Sequence, residues 1–241
     1  MDKDGLSIIV PVMNEEESGP TLAQEVSDAM VGLDREWECL WINDGSTDRT
    51  LDVMQDFANE DRHHRVIDLD GNFGQSAALA YGFTQAKMPL LATLDGDGQN
   101  VPADLVKMLT VMDEQDVDMV NGIRAKRQDS KVRLWCSKLA NGFRNNLTGE
   151  SVTDVGCAIR VFKREHALRI PVFRGMHRFF PTLLRLEGAR ITEMPVQHRS
   201  REVGVTKYGI NNRLWVGIAD TFGLVWWKRR SVRPRGRHEG S

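Results

Sequence analysis

The sequence predicts an α/β chain: a doubly wound, mostly parallel sheet with helices on both faces and a C-terminal helical segment. Three observations predict it. Over the first 122 residues, short apolar runs alternate with segments whose apolar residues recur at helical spacing. Turns rich in Asp, Asn and Gly follow the apolar runs. Near the other end, Leu214 to Trp227 is apolar except for Asp220 and Thr221.

Taken in order, Leu6 to Val10 reads as a strand stopped by Pro11 and followed by an acidic loop, Asn14-Glu15-Glu16-Glu17. A helix begins near Pro20, where a proline in the first turn sacrifices no hydrogen bond, and turns Leu22, Val26, Met30 and Leu33 to one face. Trp37 to Ile42 is a second strand. It ends in Asn43-Asp44-Gly45-Ser46-Thr47-Asp48, where Ser46 or Thr47 is placed to cap a helix that carries Leu51, Met54 and Phe57 or Ala58 inward. Arg65 to Leu69 is a third strand, and Gly71-Asn72-Phe73-Gly74-Gln75 turns into an alanine-rich helix, Ser76 to Ala86, suited to close packing on a sheet.

Pro89 to Thr93 reads as a fully buried parallel strand. It delivers Leu94-Asp95-Gly96-Asp97-Gly98-Gln99 at its end, and ligands of open α/β sheets bind at that edge. Asp95, Asp97 and Gln99 form a flexible set of hard oxygen ligands suited to Mg²⁺ or Mn²⁺, ions that usually also hold a substrate diphosphate. Pro102 then opens a helix with Leu105, Met108 or Leu109, and Met112 on one face, and Asp118 to Val120 is a short strand. Right-handed crossovers place all these loops along one edge, so Asn14, Glu15, Asp44, Asp95 and Asp97 converge. Acidic loops gathered there repel one another unless a cation or a hydrogen-bonding ligand sits among them.

Beyond residue 122 the pattern changes. Ile123 to Arg133 carries Arg124, Lys126, Arg127, Lys131 and Arg133 and reads as a mobile basic loop. Trp135, Leu139, Phe143 and Leu147 fit a helix; Gly156 to Phe162 and Ile191 to Val196 fit strands. His177 and His198 receive no role, since a lone histidine is more often structural.

Composition narrows the class. At 241 residues, 41% hydrophobic and 27% charged, the chain can bury a core as one large domain. Cys39, Cys136 and Cys157 are odd in number and match no zinc pattern, which predicts buried thiols in a reducing compartment. Met1 to Gly5 leads into the first strand without a signal segment, so a cytoplasmic protein is expected. No nucleic-acid partner is indicated. The net charge of −2 divides into +5 for residues 228–241 and −7 for the remainder. The fourteen residues before that tail are too few to span a bilayer. With two tryptophans followed by Lys228-Arg229-Arg230, the stretch 210–230 fits either a membrane-surface helix or a helix docked on the core, ahead of a disordered basic tail, 231–241. A dinucleotide-binding domain is disfavoured, because PVMNEEE follows the first strand in place of G-x-G-x-x-G; no P-loop, Ser-His-Asp order or H-E-x-x-H occurs.

In order, the stretches IIVPVMNEE, NDGSTDRT, GNFGQSAAL, LDGDGQNVPADL, VTDVGCAIRVFKRE, GMHRFFPTLL and HRSREVGVTKYG resemble the family 2 glycosyltransferases of the GT-A fold, specifically the dolichyl-phosphate mannosyltransferases and their bacterial polyprenyl-phosphate relatives. The likeness runs nearly end to end. It implies a catalytic domain over 1–209, with a nucleotide-binding half, 1–122, and an acceptor half, 123–209. By matching position, it implies that Pro11, Met13 and Glu15 line the nucleotide pocket, with Ile42 and Asp44 against base or ribose. Asp95, Gly96, Asp97 and Gln99 would serve the diphosphate and metal, Arg124 the donor phosphates, and Arg201 and Lys207 form a basic pair of the same kind. Asn43 and Thr206 depart from the family's usual aspartate and serine.

The activity so implied is inverting, metal-dependent transfer of a sugar from a nucleoside-diphosphate sugar, GDP-mannose first, to a polyprenyl phosphate at the cytoplasmic membrane face. Asp97, Arg124, Arg201 and Lys207 would offset the charge of the leaving diphosphate. Many such relatives continue into membrane-spanning helices where this sequence stops, so peripheral attachment is expected. Transfer to a sugar hydroxyl is the alternative, and it needs a base, for which Asp154 is the candidate. A sugar nucleotidyltransferase wants a Gly-rich loop with Arg and Lys after the first strand, which is absent. A non-catalytic scaffold would have no use for both aspartates, Gln99 and the basic pair.

Overall fold

The computed structural model describes residues 4–124, 153–154, 156–199 and 210–232, with the backbone alone for 210–218. Seven strands form one sheet: β1 (Leu6–Val12), β2 (Trp37–Asn43), β3 (His64–Asp68), β4 (Leu90–Thr93), β5 (Met119–Arg124), β6 (Arg160–Lys163) and β7 (Ile191–Val196), in the order β3-β2-β1-β4-β6-β5-β7. β6 runs antiparallel to β4 and β5, and the other six share one direction. The loops after β1, β2, β3 and β4 therefore meet at one edge, where β5 also ends at Arg124, as the alternation predicts.

Helices cover both faces. Because successive strand residues point to opposite sides, Leu6, Ile8, Val10 and Val12 join the core formed with α1 (Gly19–Met30), α2 (Thr50–Glu60) and α4 (Ala103–Gln115). Leu22, Val26, Met30, Met54, Leu105, Met108, Leu109 and Met112 are buried in it, at the spacing read from the sequence. Ile9, Leu40 and Ile42 point the other way. They meet α3 (Gln75–Gln85), the short α5 (Arg164–Ala167) and α6 (Phe180–Leu186), and the C-terminal α7 (Ile210–Arg230) through Leu224. The small residues of α3 work as expected: a Cβ at Gly82 would lie 2.5 Å from Ile9 Cγ2. Cys39 and Cys157 are buried free thiols.

Four local expectations are corrected. β1 continues through Pro11 to Val12, because β4 pairs with β1 only as far as Ile9, so the missing N–H of Pro11 faces no partner strand. Ser46 and Thr47 do not cap α2; Asp48 Oδ1 accepts from the Thr50 N–H instead, while Ser46 Oγ accepts from Asn14 N and Asn14 Oδ1 from Thr47 N. β5 runs on to Arg124, held by pairing with β7 at Ile123 and Arg124, so the basic stretch opens as strand. β6 begins at Arg160 and not at Gly156. The basic residues from 125 to 133, the helix read at Trp135 to Leu147 and the tail from 233 lie outside the described residues.

Candidate active site at the carboxyl edge

The edge loops are stitched together by hydrogen bonds. Glu15 N donates to Thr50 Oγ1 (2.7 Å), and the Ser18 hydroxyl lies 2.7 Å from Glu15 Oε2 and 3.1 Å from the Gly96 carbonyl oxygen. Asp44 is buried, and its two carboxylate oxygens accept from Phe73 N (2.7 Å) and Gly74 N (2.9 Å). The general repulsion expected of these acidic loops is thus answered largely by N–H and O–H donors of the protein itself.

Asp95 and Asp97 are the exception. Burial, and then the charge of Asp97, push the Asp95 carboxyl up to about 6; the Arg160 charge, a hydrogen bond from Gln75 and the Arg124 charge pull it back only partly. Gln75 Nε2 donates to Asp95 Oδ1 at 2.7 Å, and Asp95 N donates to the buried Asn100 Oδ1 at 3.0 Å. A side chain at Gly96 is forbidden, since its Cβ would fall 2.7 Å from Val12 Cγ1 and 2.9 Å from the Pro11 carbonyl oxygen. The Gly96 backbone between the two aspartates is therefore pressed against the end of β1. Gln99 N donates to Asp97 Oδ1 (3.2 Å) and Gln99 Nε2 to the Arg199 carbonyl (3.2 Å). Among the described residues no three His, Cys, Asp or Glu side chains gather closely enough to hold a metal ion. The oxygen donors at this spot are two carboxylates and the Gln99 amide, a set that suits a hard divalent ion sharing its shell with substrate phosphates.

Arg124 and Asp154 form a bidentate ion pair, Nε to Oδ2 at 2.7 Å and Nη2 to Oδ1 at 2.8 Å, with Asp154 buried. Arg160, also buried, donates from Nε to Asn121 Oδ1 and from Nη1 to the His177 carbonyl (both 3.1 Å). His177 Nδ1 lies 2.9 Å from Ser76 Oγ, so the 176–179 turn joins α3 there and β6 through Arg160.

Pro11, Met13, Glu15, Asp44, Asp95, Gly96, Asp97, Gln99 and Arg124 are thus gathered on this edge. Ile42 is not at the pocket surface: its side chain is fully buried against α3. Arg201 and Lys207 lie outside the described residues. Sequence reasoning missed Gln75, Asn100 and Arg160. Gln75 stands inside GNFGQSAAL at the start of a helix that follows a strand, so its place at the edge was readable; Arg160, inside a strand, gave no such signal.

The family model for Glycosyl transferase family 2 matches residues 7–170. The chain belongs to glycosyl transferase family 2. It is 36% identical over 236 residues to the dodecaprenyl-phosphate galacturonate synthase of Rhizobium johnstonii, covering 95% of this chain and 69% of that one. It is 37% identical over 210 residues to the undecaprenyl-phosphate 4-deoxy-4-formamido-L-arabinose transferase of Salmonella choleraesuis, covering 84% and 62%. The chain thus spans under two thirds of the latter's length. Its GT-A fold is shared with glucosyl-3-phosphoglycerate synthase of Mycobacterium tuberculosis, solved with Mn²⁺, UDP and phosphoglyceric acid (TM-score 0.69, 16% identity, 97% and 81% covered), and with a mannosyltransferase of Pyrobaculum calidifontis solved with GDP-mannose and Mn²⁺ (0.62, 18%, 96% and 66%).

Proposed function

We propose that this family 2 glycosyltransferase moves a sugar from a nucleoside-diphosphate sugar to a polyprenyl phosphate, with inversion, at a membrane surface. The observation that carries the choice of acceptor is the Arg124–Asp154 pair. A sugar hydroxyl needs a base, and Asp154, the candidate for it, is buried and held at both oxygens by Arg124. A lipid phosphate is largely dianionic near pH 7 and attacks without one. Both relatives described above carry a polyprenyl phosphate in their names, which supports the same reading.

In this reading residues 1–122 bind the nucleotide, 123–209 receive the acceptor, and 210–230 bring the site to the headgroup level. Pro11, Met13, Glu15 and Asp44 surround the nucleoside. Asp95, Asp97 and Gln99 would hold Mg²⁺ or Mn²⁺, which when bound supplies Lewis-acid stabilisation to the diphosphate. Gln75 fixes the Asp95 carboxylate against α3, and Asn100 fixes its backbone. Arg124, Arg201 and Lys207 offset the negative charge that grows on the diphosphate as the sugar leaves, so they act on the transition state more than on the bound donor.

No helix of the described residues is long and apolar enough to cross a membrane. α7 instead divides its surface: Thr221 and Leu224 are buried on the domain, whereas Phe222 and Trp226 are 55% and 64% exposed beside Lys228, Arg229 and Arg230. In this reading the buried face docks α7 on the domain, and the exposed face flanked by basic residues is the one that would meet a membrane surface.

GDP-mannose is the donor the resemblance favours, while the relatives' names give galacturonate and 4-deoxy-4-formamido-L-arabinose. The test is therefore a panel. Labelled GDP-mannose, UDP-glucose, a UDP-uronate and a UDP-amino sugar are incubated with the protein, polyprenyl phosphate and Mn²⁺ or Mg²⁺, and label is counted in the lipid extract. Transfer from one of them that needs the phosphorylated lipid is expected. Transfer to a free glycan and not to the lipid would overturn the reading.

A further inference from the structure

We infer that Phe73 is a stacking platform for the donor's nucleobase, an inference that rests on the nucleotide-sugar reading above. Exposed apolar side chains are common, and most of the large ones among the described residues stand on helices or just beyond them. Of the large ones among the described residues, Phe73 alone stands in a loop that follows a parallel strand, β3, at the edge where the site lies; it is 53% exposed.

Its backbone is fixed from two directions by residues that surround the proposed nucleoside pocket. Asp44 takes the Phe73 and Gly74 N–H groups, and Asn72 Nδ2 lies 2.8 Å from Met13 Sδ. The glycines complete the clamp. A Cβ at Gly45 would lie 2.8 Å from Asn72 N and from the Gly71 carbonyl carbon, so the loops after β2 and β3 touch backbone to backbone. Gly45 and Gly74 also sit at φ +69° and +87°, where a side chain is strained. The Phe73 ring folds back over this contact: its Cε2 and Cζ would lie 3.8 and 4.0 Å from a Cβ at Gly71. A rigid backbone, tied to Asp44 at the Phe73 N–H and to Met13 through Asn72, therefore holds an aromatic ring with much of its surface uncovered, at a place where hydrophobic burial is forgone.

A nucleobase is the ligand that such a ring suits, because a flat π-face recognises any base by stacking and leaves the choice among bases to hydrogen-bonding groups. Asp44, whose two oxygens already accept backbone N–H groups, then acts here as the holder of the platform.

The test is calorimetry of the full chain with Mn²⁺ and, in turn, UDP, GDP and inorganic pyrophosphate, for wild type, Phe73→Ala, Phe73→Leu and Phe73→Tyr. Phe73→Ala is expected to weaken UDP and GDP by a common factor, about 5- to 150-fold, the span of base-on-aromatic stacking. Pyrophosphate affinity should stay within twofold, Phe73→Tyr should match wild type and Phe73→Leu fall between. Thermal unfolding without ligand checks that the variants are folded. Nucleotide affinity unchanged in Phe73→Ala overturns the stacking role and leaves the functional reading standing. An equal loss for pyrophosphate also overturns it, by showing a collapsed loop. A wild-type protein that binds neither nucleotide overturns the functional reading, and the platform with it.

Discussion

Gln75 Nε2 donates to Asp95 Oδ1 at 2.7 Å, tying the first turn of α3 to the end of β4. The bond orients one of two neighbouring carboxylates, and it does so from a helix whose next residue, Ser76, contacts His177. Hydrogen bonds to a charged group are worth about 1.5–3 kcal/mol. Gln75→Ala should therefore lower donor turnover about 10- to 150-fold with little change in unfolding temperature. Gln75→Glu, which adds a third carboxylate, should be worse. Steady-state kinetics checks both.

Asp97→Ala should abolish metal-dependent donor binding and leave the fold intact, because the side chain contributes to a loop site and not to either core cluster. Calorimetry with donor, with and without Mn²⁺, measures it. Donor affinity equal to wild type would remove Asp97 from the metal site.

Arg124 holds the buried Asp154, so its removal should be a structural injury in addition to the loss of its proposed role at the donor phosphates. Arg124→Met takes the bidentate cation away from a buried carboxylate, a defect of about 3–5 kcal/mol. Urea unfolding should show that loss, and the double variant Arg124→Met/Asp154→Asn should recover most of it while remaining inactive.

His64 predicts the response to acid. It is buried, Trp41 Nε1 donates to its Nδ1 (2.9 Å), and its Nε2 lies 2.9 Å from Ser27 Oγ. Since Nδ1 accepts, Nε2 carries the proton of the neutral ring. Burial holds its pKa down to about 4 against the charge of Asp61. The unfolded chain therefore binds the proton first, so this stability is full above pH 6.5 and is lost as pH falls from about 6.5 to 4, by up to about 3 kcal/mol. Burial alone would raise Asp61, but hydrogen bonds from His63 and Ser27 bring it to about 2, adding a further loss below pH 4. Urea midpoints at pH 7.5, 5.5 and 4.5 read the slope, which His64→Gln should flatten above pH 4.

Phe222 and Trp226 on the exposed side of α7 should carry binding to anionic vesicles. Each neighbouring Lys or Arg adds about 1 kcal/mol near the surface, so binding should weaken with salt. Flotation of Phe222→Ser/Trp226→Ser against wild type measures this without disturbing the buried Leu224. Equal flotation would confine α7 to its docking role.

The sequence by itself determined the layered sheet, the edge on which the loops meet and the carboxylate pair that marks it. Those features follow from local periodicity, from where polar turns interrupt apolar runs and from the handedness of crossovers, none of which needs distant contacts. Tertiary structure alone decided the rest. The insertion of antiparallel β6 between β4 and β5, and with it the place of Arg160 near Asp95, depends on pairing between segments some 40 and some 70 residues apart. That Asp154 is locked by Arg124, that Asp44 holds a loop, and that Ile42 faces the core were likewise invisible. Residue type and spacing state which groups are available at an edge; only the three-dimensional contacts state which of them the protein has already used for itself.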